Sequence, residues 1–164
     1  MNTISVSGNA RLTYSVSDGI VSESQEILST RSIANGTDSG QANVAWRGQI
    51  TISAGQAASI DLRNLADSAL GYTGKIVIST LREVFVVNKT TTAGAYVLWG
   101  VIGPYDTTAY ASRINRGGEY RVADYLDGVT ITNGVNSVIY CANPSGVSVT
   151  IDVGFVGIGT YVDN

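Results

Sequence analysis

The most constraining feature of this sequence is a strict two-residue alternation near its C-terminus. The large apolar residues Val147, Val149, Ile151, Val153 and Phe155 are separated by single small or polar residues. Successive side chains of a β-strand point to opposite faces of a sheet, so this period predicts a half-buried strand. A similar rhythm recurs upstream, which predicts an all-β protein.

Turn residues separate a series of such segments along the chain. The segments predicted as strands are 44–52, 75–88, 96–101, 110–115, 119–123, 129–132, 137–141 and 147–158. Residues 59–65 are predicted to be a short strand that continues into one or two helical turns, since the nearby alanines 57, 58, 66 and 69 tolerate a helix. Short strands at about ten-residue spacing are typical of a sandwich. We therefore predict an antiparallel, jelly-roll-like β-sandwich of about eight strands.

Three details of the strands and turns can be predicted from residue types. A bulge is expected near Arg47-Gly48, where the alternation of the first main strand is interrupted. Asn133-Gly134 predicts a hairpin turn, because glycine accepts a positive φ without steric cost. The turn at residues 116–118 is expected to return the chain into residues 119–123.

The first 40 residues are predicted to form a separate arm. Leu12, Tyr14 and Val16 alternate with polar residues, and Asp18-Gly19 supplies a turn, so residues 10–33 predict a β-hairpin. Residues 35–40 are a turn-forming cluster without an apolar side chain. We therefore predict an N-terminal hairpin or arm over residues 1–40 and a sandwich domain over residues 41–164.

The residue types that most catalytic sites need are missing from this sequence. There is no histidine to activate a serine or cysteine nucleophile, and one cysteine without histidine makes no ordinary zinc site. The glycines between 154 and 159 have the wrong spacing for a phosphate loop. Asp124 and Asp127 are interpreted as turn residues rather than calcium ligands. We predict no enzyme, no metal and no cofactor, and an inert core thiol at Cys141.

Charge and hydropathy narrow the range of partners. The net charge is −3 and there are two lysines, so the chain has no large phosphate-neutralising surface. No apolar run reaches the length of a membrane span, and residues 1–8 do not resemble a signal peptide. We expect neither nucleic acid nor a membrane among the partners.

Aromatic residues and arginines cluster in the second half of the chain. Nine tyrosines and two tryptophans outnumber two phenylalanines, and tyrosine, tryptophan and arginine are the residue types of interface hot spots. The candidates for an interface or ligand-binding surface are Trp99, Tyr105, Tyr110, Arg113 and Arg116. The alternative is that half of the tyrosines here fill the edge of the sandwich. Trp46 is in phase with Val44 and is predicted to be a core residue.

The order of features from Trp46 onward resembles a known class of protein. The matching segments are Trp46–Ile52, Ile60–Leu65, Val84–Asn88, Gly117–Tyr120, Val129–Asn133 and Val149–Gly157. They are similar in pattern to small jelly-roll virion proteins of tailed bacteriophages, which decorate or cement a capsid or form a head spike. The resemblance covers about residues 44–159. It implies a structural role, a homotrimer or other symmetric assembly, and no catalysis.

Two functions are consistent with these observations. The first is a protein made in the host cytoplasm that binds the major capsid protein or another virion protein and stabilises or decorates the capsid surface. The second is a carbohydrate- or receptor-binding sandwich, a lectin-like or fibre-tip domain that stacks sugars on aromatic side chains near residues 99–110.

Overall fold

A computed structural model describes residues 6–17, 22–67, 74–100, 112–124 and 126–163. This part of the chain contains thirteen strands and no helix. The strands are β1 (Val6–Ser17), β2 (Ser22–Asn35), β3 (Gln41–Ala42), β4 (Val44–Ile52), β5 (Ala57–Asp61), β6 (Leu65–Asp67), β7 (Gly74–Asn88), β8 (Tyr96–Trp99), β9 (Ser112–Asn115), β10 (Glu119–Ala123), β11 (Val129–Thr130), β12 (Val138–Ala142) and β13 (Val149–Asp163). Within the described ranges, no helix is long and apolar enough to cross a membrane.

The eight strands of four residues or more that follow β3 pair in a nested order. The first pairs with the last (β4 with β13), the second with the seventh (β5 with β12), the third with the sixth (β7 with β10) and the fourth with the fifth (β8 with β9), all antiparallel. One sheet has the order β10-β7-β13-β4, with β6 and β11 also paired to β7, and the other has the order β5-β12-β8-β9. This is the strand order of a jelly roll, so the predicted antiparallel β-sandwich is confirmed.

The core lies between the two sheets, as the alternation predicts. In β13 every second residue from Val149 to Phe155 is buried. Facing them are apolar residues of β8 and β12, among them Val97, Ile139 and Cys141, which are buried in the same cluster. Because alternate side chains of each strand point inward, each sheet buries one face.

Trp46 is half-buried at the margin of this core, which corrects its prediction as a core residue. Its ring stacks on Phe155 with centroids 5.5 Å apart, and its indole N–H donates a hydrogen bond to the Ala66 carbonyl at 2.8 Å. The indole extends along β4, because a Cβ at Gly48 would meet it at 2.3 Å. Gly48 therefore makes room for Trp46.

The bulge predicted near Arg47-Gly48 is wrong. Strand β4 pairs with β13 in one unbroken register from Val44 to Ile52. The register shifts instead between β13 and β7, at Val156/Gly157 and at Ile158/Gly159, where Arg82 and Ser79 are extra residues of β7. At both shifts the backbones come so close that β13 carries glycine: a Cβ at Gly157 would lie 2.2 Å from the Thr80 carbonyl oxygen.

Other predicted elements differ because consecutive strands cross between sheets. The turn at Asn133-Gly134 joins β11, which pairs with β7, to β12 in the opposite sheet, so it forms no hairpin. The turn at residues 116–118 likewise joins β9 to β10 across the sandwich. The predicted helical turns after residue 61 are wrong over the described residues 62–67, which form a turn and β6. Ala69 lies outside the described residues.

The N-terminal strands form a sheet of their own. Strands β1 and β2 pair antiparallel at twelve positions, from Val6↔Ile33 to Ser17↔Ser22, which is the predicted hairpin. The end of β2 pairs in parallel with β3. Within the described ranges, β1 and β2 have no ladder with either sheet of the sandwich. The predicted turn Asp18-Gly19 lies outside the described residues, and the domain boundary at residue 40 stays a prediction.

Candidate docking surfaces

The structure divides the predicted surface candidates between the core and the outside. Trp99 is 3% exposed and belongs to the core cluster, which corrects the expectation that it lines a binding surface. In the β8–β9 ladder Trp99 faces Ser112 while Leu98 faces Arg113, so Trp99 and Arg113 point to opposite faces of the sheet. Tyr105 and Tyr110 lie outside the described residues.

Arg113 lies on the outer face of the four-stranded sheet in a fixed orientation. The guanidinium carbon is 3.9 Å from the ring centroid of Tyr96, and Nε donates to Oδ1 of Asn115 at 3.0 Å. A guanidinium over an aromatic face is attracted by the ring quadrupole. Tyr96 was not among the predicted candidates, although its alternation with the buried Val97 places it on the outer face.

Arg116 is exposed in the turn that follows β9. Its Nη1 donates to the Thr91 carbonyl at 3.1 Å, and its backbone N–H donates to the Ala95 carbonyl at 3.0 Å. These bonds hold the turn beside the loop that begins at Lys89, which is also exposed. Arg113 on β9 and Arg116 in the turn after it are hereafter the β9 cationic edge.

The outer face of the six-stranded sheet is different, because several of its polar side chains are paired with one another. Gln49 donates to Asp152 at 2.8 Å, and the hydroxyls of Thr51 and Thr150 are 3.0 Å apart. Arg121 and the buried Glu83 form an ion pair at 2.5 Å. Such cross-strand pairs satisfy each other and stabilise the sheet.

Phe85 is the exception on that face. It is 39% exposed and faces Gly154 of β13 and Arg121 of β10 in the two ladders. Its phase along β7 is opposite to that of the buried Val84 and Val86.

A set of polar bonds joins the N-terminal sheet to the sandwich. The Asn43 side chain donates to the Gly159 carbonyl at 3.0 Å and accepts from the Gly159 N–H at 2.8 Å, as a neighbouring strand would. Its backbone N–H donates to the Gly157 carbonyl at 3.0 Å. Asn43 therefore fixes the start of β4 against β13.

Arg82, the extra residue at the first register shift, holds the adjoining residues 36–40, hereafter the link. It is 5% exposed and donates to the carbonyls of Leu126 and, at 3.4 Å, Asp38. The Ser39 hydroxyl donates to the same Leu126 carbonyl at 2.9 Å. Arg82 Nε has no hydrogen-bond partner among the described residues. No sequence signal could have found this contact, because it depends on the bulge.

Cys141 and Asp124 have structural roles. Burial raises the pKa of the Cys141 thiol from its ordinary value of 9.0 to about 11. Asp124 Oδ1 accepts the Asp127 N–H at 3.2 Å, which is the turn role predicted for it. No group of three acidic or cysteine side chains with metal-binding geometry occurs in the described part of the chain.

No protein-family model matches this sequence, and a search of curated proteins found no match. The function is therefore inferred from the two features described above, the jelly roll and its linked hairpin.

Proposed function

We propose that this protein is a structural component of a virion that binds the major capsid protein or another virion protein and strengthens or decorates the capsid surface. The N-terminal hairpin is the element that joins it to its neighbours in the particle. The observation that carries the proposal is the β1–β2 hairpin, which forms its own sheet beside an eight-stranded jelly roll. Jelly rolls are a recurrent architecture of viral shells.

The hairpin supports this role through its open edges. Among the described residues, β1 pairs with β2 alone, and β2 pairs with β3 over two positions. Unpaired strand edges present rows of free N–H and C=O groups that accept a further strand. The outer edge of β1 therefore offers a docking template along its whole length.

The link supports the role by fixing where the hairpin begins. Arg82 donates to its Asp38 carbonyl, and its Ser39 donates to the carbonyl of residue 126. Beyond the link, Asn43 bonds to Gly159 of β13. An arm attached at a fixed position loses less conformational entropy on docking than a free tail.

Carbohydrate binding is a second candidate, favoured by Tyr140 on the outer face of the four-stranded sheet. Its side chain is 40% exposed, and Tyr96 lies on the same face. Aromatic rings on a flat surface of this kind can stack on sugars. Trp99 no longer contributes to this hypothesis because it is buried.

The test is binding to particles that lack the protein, measured by co-sedimentation. A deletion of residues 1–32 removes the hairpin but keeps the buried Ile33 and the link. We expect the shortened chain to fold, as judged by circular dichroism, and to lose at least about tenfold in particle affinity. Unchanged binding by a folded deletion would refute the hairpin's role. Glycan binding by the full chain, lost in a Tyr96→Ala, Tyr140→Ala variant and with no binding to particles, would favour the second candidate.

A further inference from the structure

We propose that the outer half of the hairpin docks on the β9 cationic edge of a second copy of this chain. This inference rests on the proposed function and names the hairpin's neighbour. Repeated around a ring, one hairpin-to-edge contact per copy is a head-to-tail interface that closes when the rotation permits. A trimer is one such closed assembly.

The receiving surface is positively charged and unpaired. Arg113 and Arg116 are exposed, and neither forms an ion pair with a described carboxylate. Arg113 bonds through Nε to Asn115, and its two Nη groups have no hydrogen bond to another described residue. Because Tyr96 and Asn115 already orient this guanidinium, little side-chain entropy is lost when a carboxylate binds it.

The described carboxylates balance only part of this charge. Glu119 begins β10, three residues after Arg116, and Asp61 lies on β5, the opposite edge strand of the four-stranded sheet. Asp61 is engaged locally, since its Oδ1 accepts the Arg63 N–H at 2.9 Å. Strand β9 is the last strand in the order of the four-stranded sheet and pairs with β8 alone among the described strands.

The complementary charge is concentrated in one half of the hairpin. The register places residues 12–17 against 22–27 in the half far from the link. This half contains Glu23 and Glu26 and no lysine or arginine, whereas Arg11 and Arg31 lie in the half nearest the link.

The hairpin is long enough to reach a neighbour. Twelve paired positions correspond to about 40 Å of strand at roughly 3.4 Å per residue. The acidic half therefore begins about 30 Å from the link by the same spacing along β2. Neither described strand of the hairpin has a ladder with the chain's own sandwich sheets. The oppositely charged edge of a second copy is the partner that we infer for it.

The experiment measures mass in solution by light scattering at micromolar concentration. We expect the full chain to be an oligomer, a whole-number multiple of 17.1 kDa, and the variant Arg113→Glu with Arg116→Glu to be a monomer. A matched control, Arg47→Glu with Arg63→Glu, removes the same charge elsewhere and should keep the oligomer. Adding Glu23→Arg and Glu26→Arg to the monomeric variant should restore at least half of the oligomer.

Three results would overturn the inference. The first is a full chain that is monomeric at about 100 μM. The second is an Arg113→Glu, Arg116→Glu variant that keeps the oligomeric mass of the full chain. The third is a four-substitution variant, with Glu23→Arg and Glu26→Arg added, that remains a monomer. If Arg113→Glu with Arg116→Glu unfolds the chain, the neutral variant Arg113→Gln with Arg116→Gln takes its place. Its mass in solution is interpreted in the same way. If the reversal leaves the mass unchanged while the hairpin deletion abolishes particle binding, this inference fails and the proposed function stands.

Discussion

The sandwich and the link that joins the hairpin to it are held together by different forces. The sandwich buries a continuous apolar face from each sheet, and Phe155, Ile151 and Val97 are each at most 1% exposed. The link is held by a few directional bonds from Arg82 and Ser39, and Asn43 just beyond it is bonded to Gly159. Apolar burial is worth about 1.5 to 3 kcal/mol for each large side chain, whereas a net hydrogen bond is worth about 1 kcal/mol.

This difference separates stability from assembly. Changes inside the sandwich should lower the free energy of unfolding of the whole chain. Changes at the link should leave that free energy nearly unchanged and alter the hairpin's attachment instead. The predictions that follow test this division, beginning with the largest expected loss of stability.

The largest effect is expected for Asn143→Ala. Asn143 is fully buried, its Nδ2 is within hydrogen-bond distance of the carbonyls of Ile52, Ser53 and Val147, and its Oδ1 accepts from Ser145. Removing the amide leaves several buried groups unsatisfied, each at a cost of about 1 to 3 kcal/mol. We expect a loss of about 3 to 5 kcal/mol in denaturant unfolding.

Asn136→Ala is the matched control for that change. Asn136 makes two similar bonds, to the Thr132 N–H and the Thr130 carbonyl, but in an exposed turn. Water can replace those partners, so we expect a loss of about 1 kcal/mol. If both variants lose the same free energy of unfolding, burial of the hydrogen-bonded groups does not determine the size of the loss.

Gly157→Ala tests the close approach of β13 to β7. The new Cβ would lie 2.2 Å from the Thr80 carbonyl oxygen, so one backbone must shift, at a cost of about 1 to 3 kcal/mol. Gly154→Ala is the control, because its nearest neighbour would be 3.8 Å away. We expect Gly154→Ala to be neutral or slightly stabilising, since glycine is unfavourable within a strand. Thermal unfolding of both variants measures the difference, and a stable Gly157→Ala would refute the packing account.

Cys141 should make stability fall with alkaline pH. The unfolded thiol ionises near its ordinary pKa of 9.0, whereas burial raises the folded pKa to about 11. The unfolded state therefore loses its proton first, and stability is lost as pH rises from 9 to 11, by about 2 kcal/mol at pH 11. Cys141→Ser lacks this ionisation. We expect it to lose some stability at pH 7, keep its function, and show a shallower decline above pH 9. Parallel pH profiles for the two proteins would contradict the burial of the thiol.

Sequence patterns predict where strands lie in the chain better than they predict which strands pair in a sheet. The alternation in β13 and the β-branched run in β7 correctly predict long strands, because period two depends on local geometry alone. Asn133-Gly134 correctly predicts a turn but not its role, because a jelly roll sends consecutive strands to opposite sheets. The nested pairing depends on contacts between distant residues, which alternation does not specify.

The candidate site could be predicted in part. Arg113 and Arg116 are exposed as expected, since arginine is costly to bury without a partner. Trp99 is not, because the same strand alternates Val97 and Trp99 inward with Tyr96 and Leu98 outward. Arg82 was beyond prediction, since its burial requires a bulge in β7 whose cause is the register with β13.

The smallest effect on stability is expected for Arg82→Met, which tests the link directly. Arg82 is buried without a carboxylate partner among the described residues, and its Nε is unpaired there. Burying a charge without an ion-pair partner costs desolvation free energy, and its removal offsets the lost hydrogen bonds, so the free energy of unfolding should change by less than about 1 kcal/mol. The bonds to Asp38 and Leu126 are lost, so amide hydrogen exchange at residues 36–43 should rise about tenfold. The exposed Arg47→Met should change neither quantity. If Arg82→Met instead unfolds the sandwich, the link is part of its stability and the proposed division between sandwich and link is wrong.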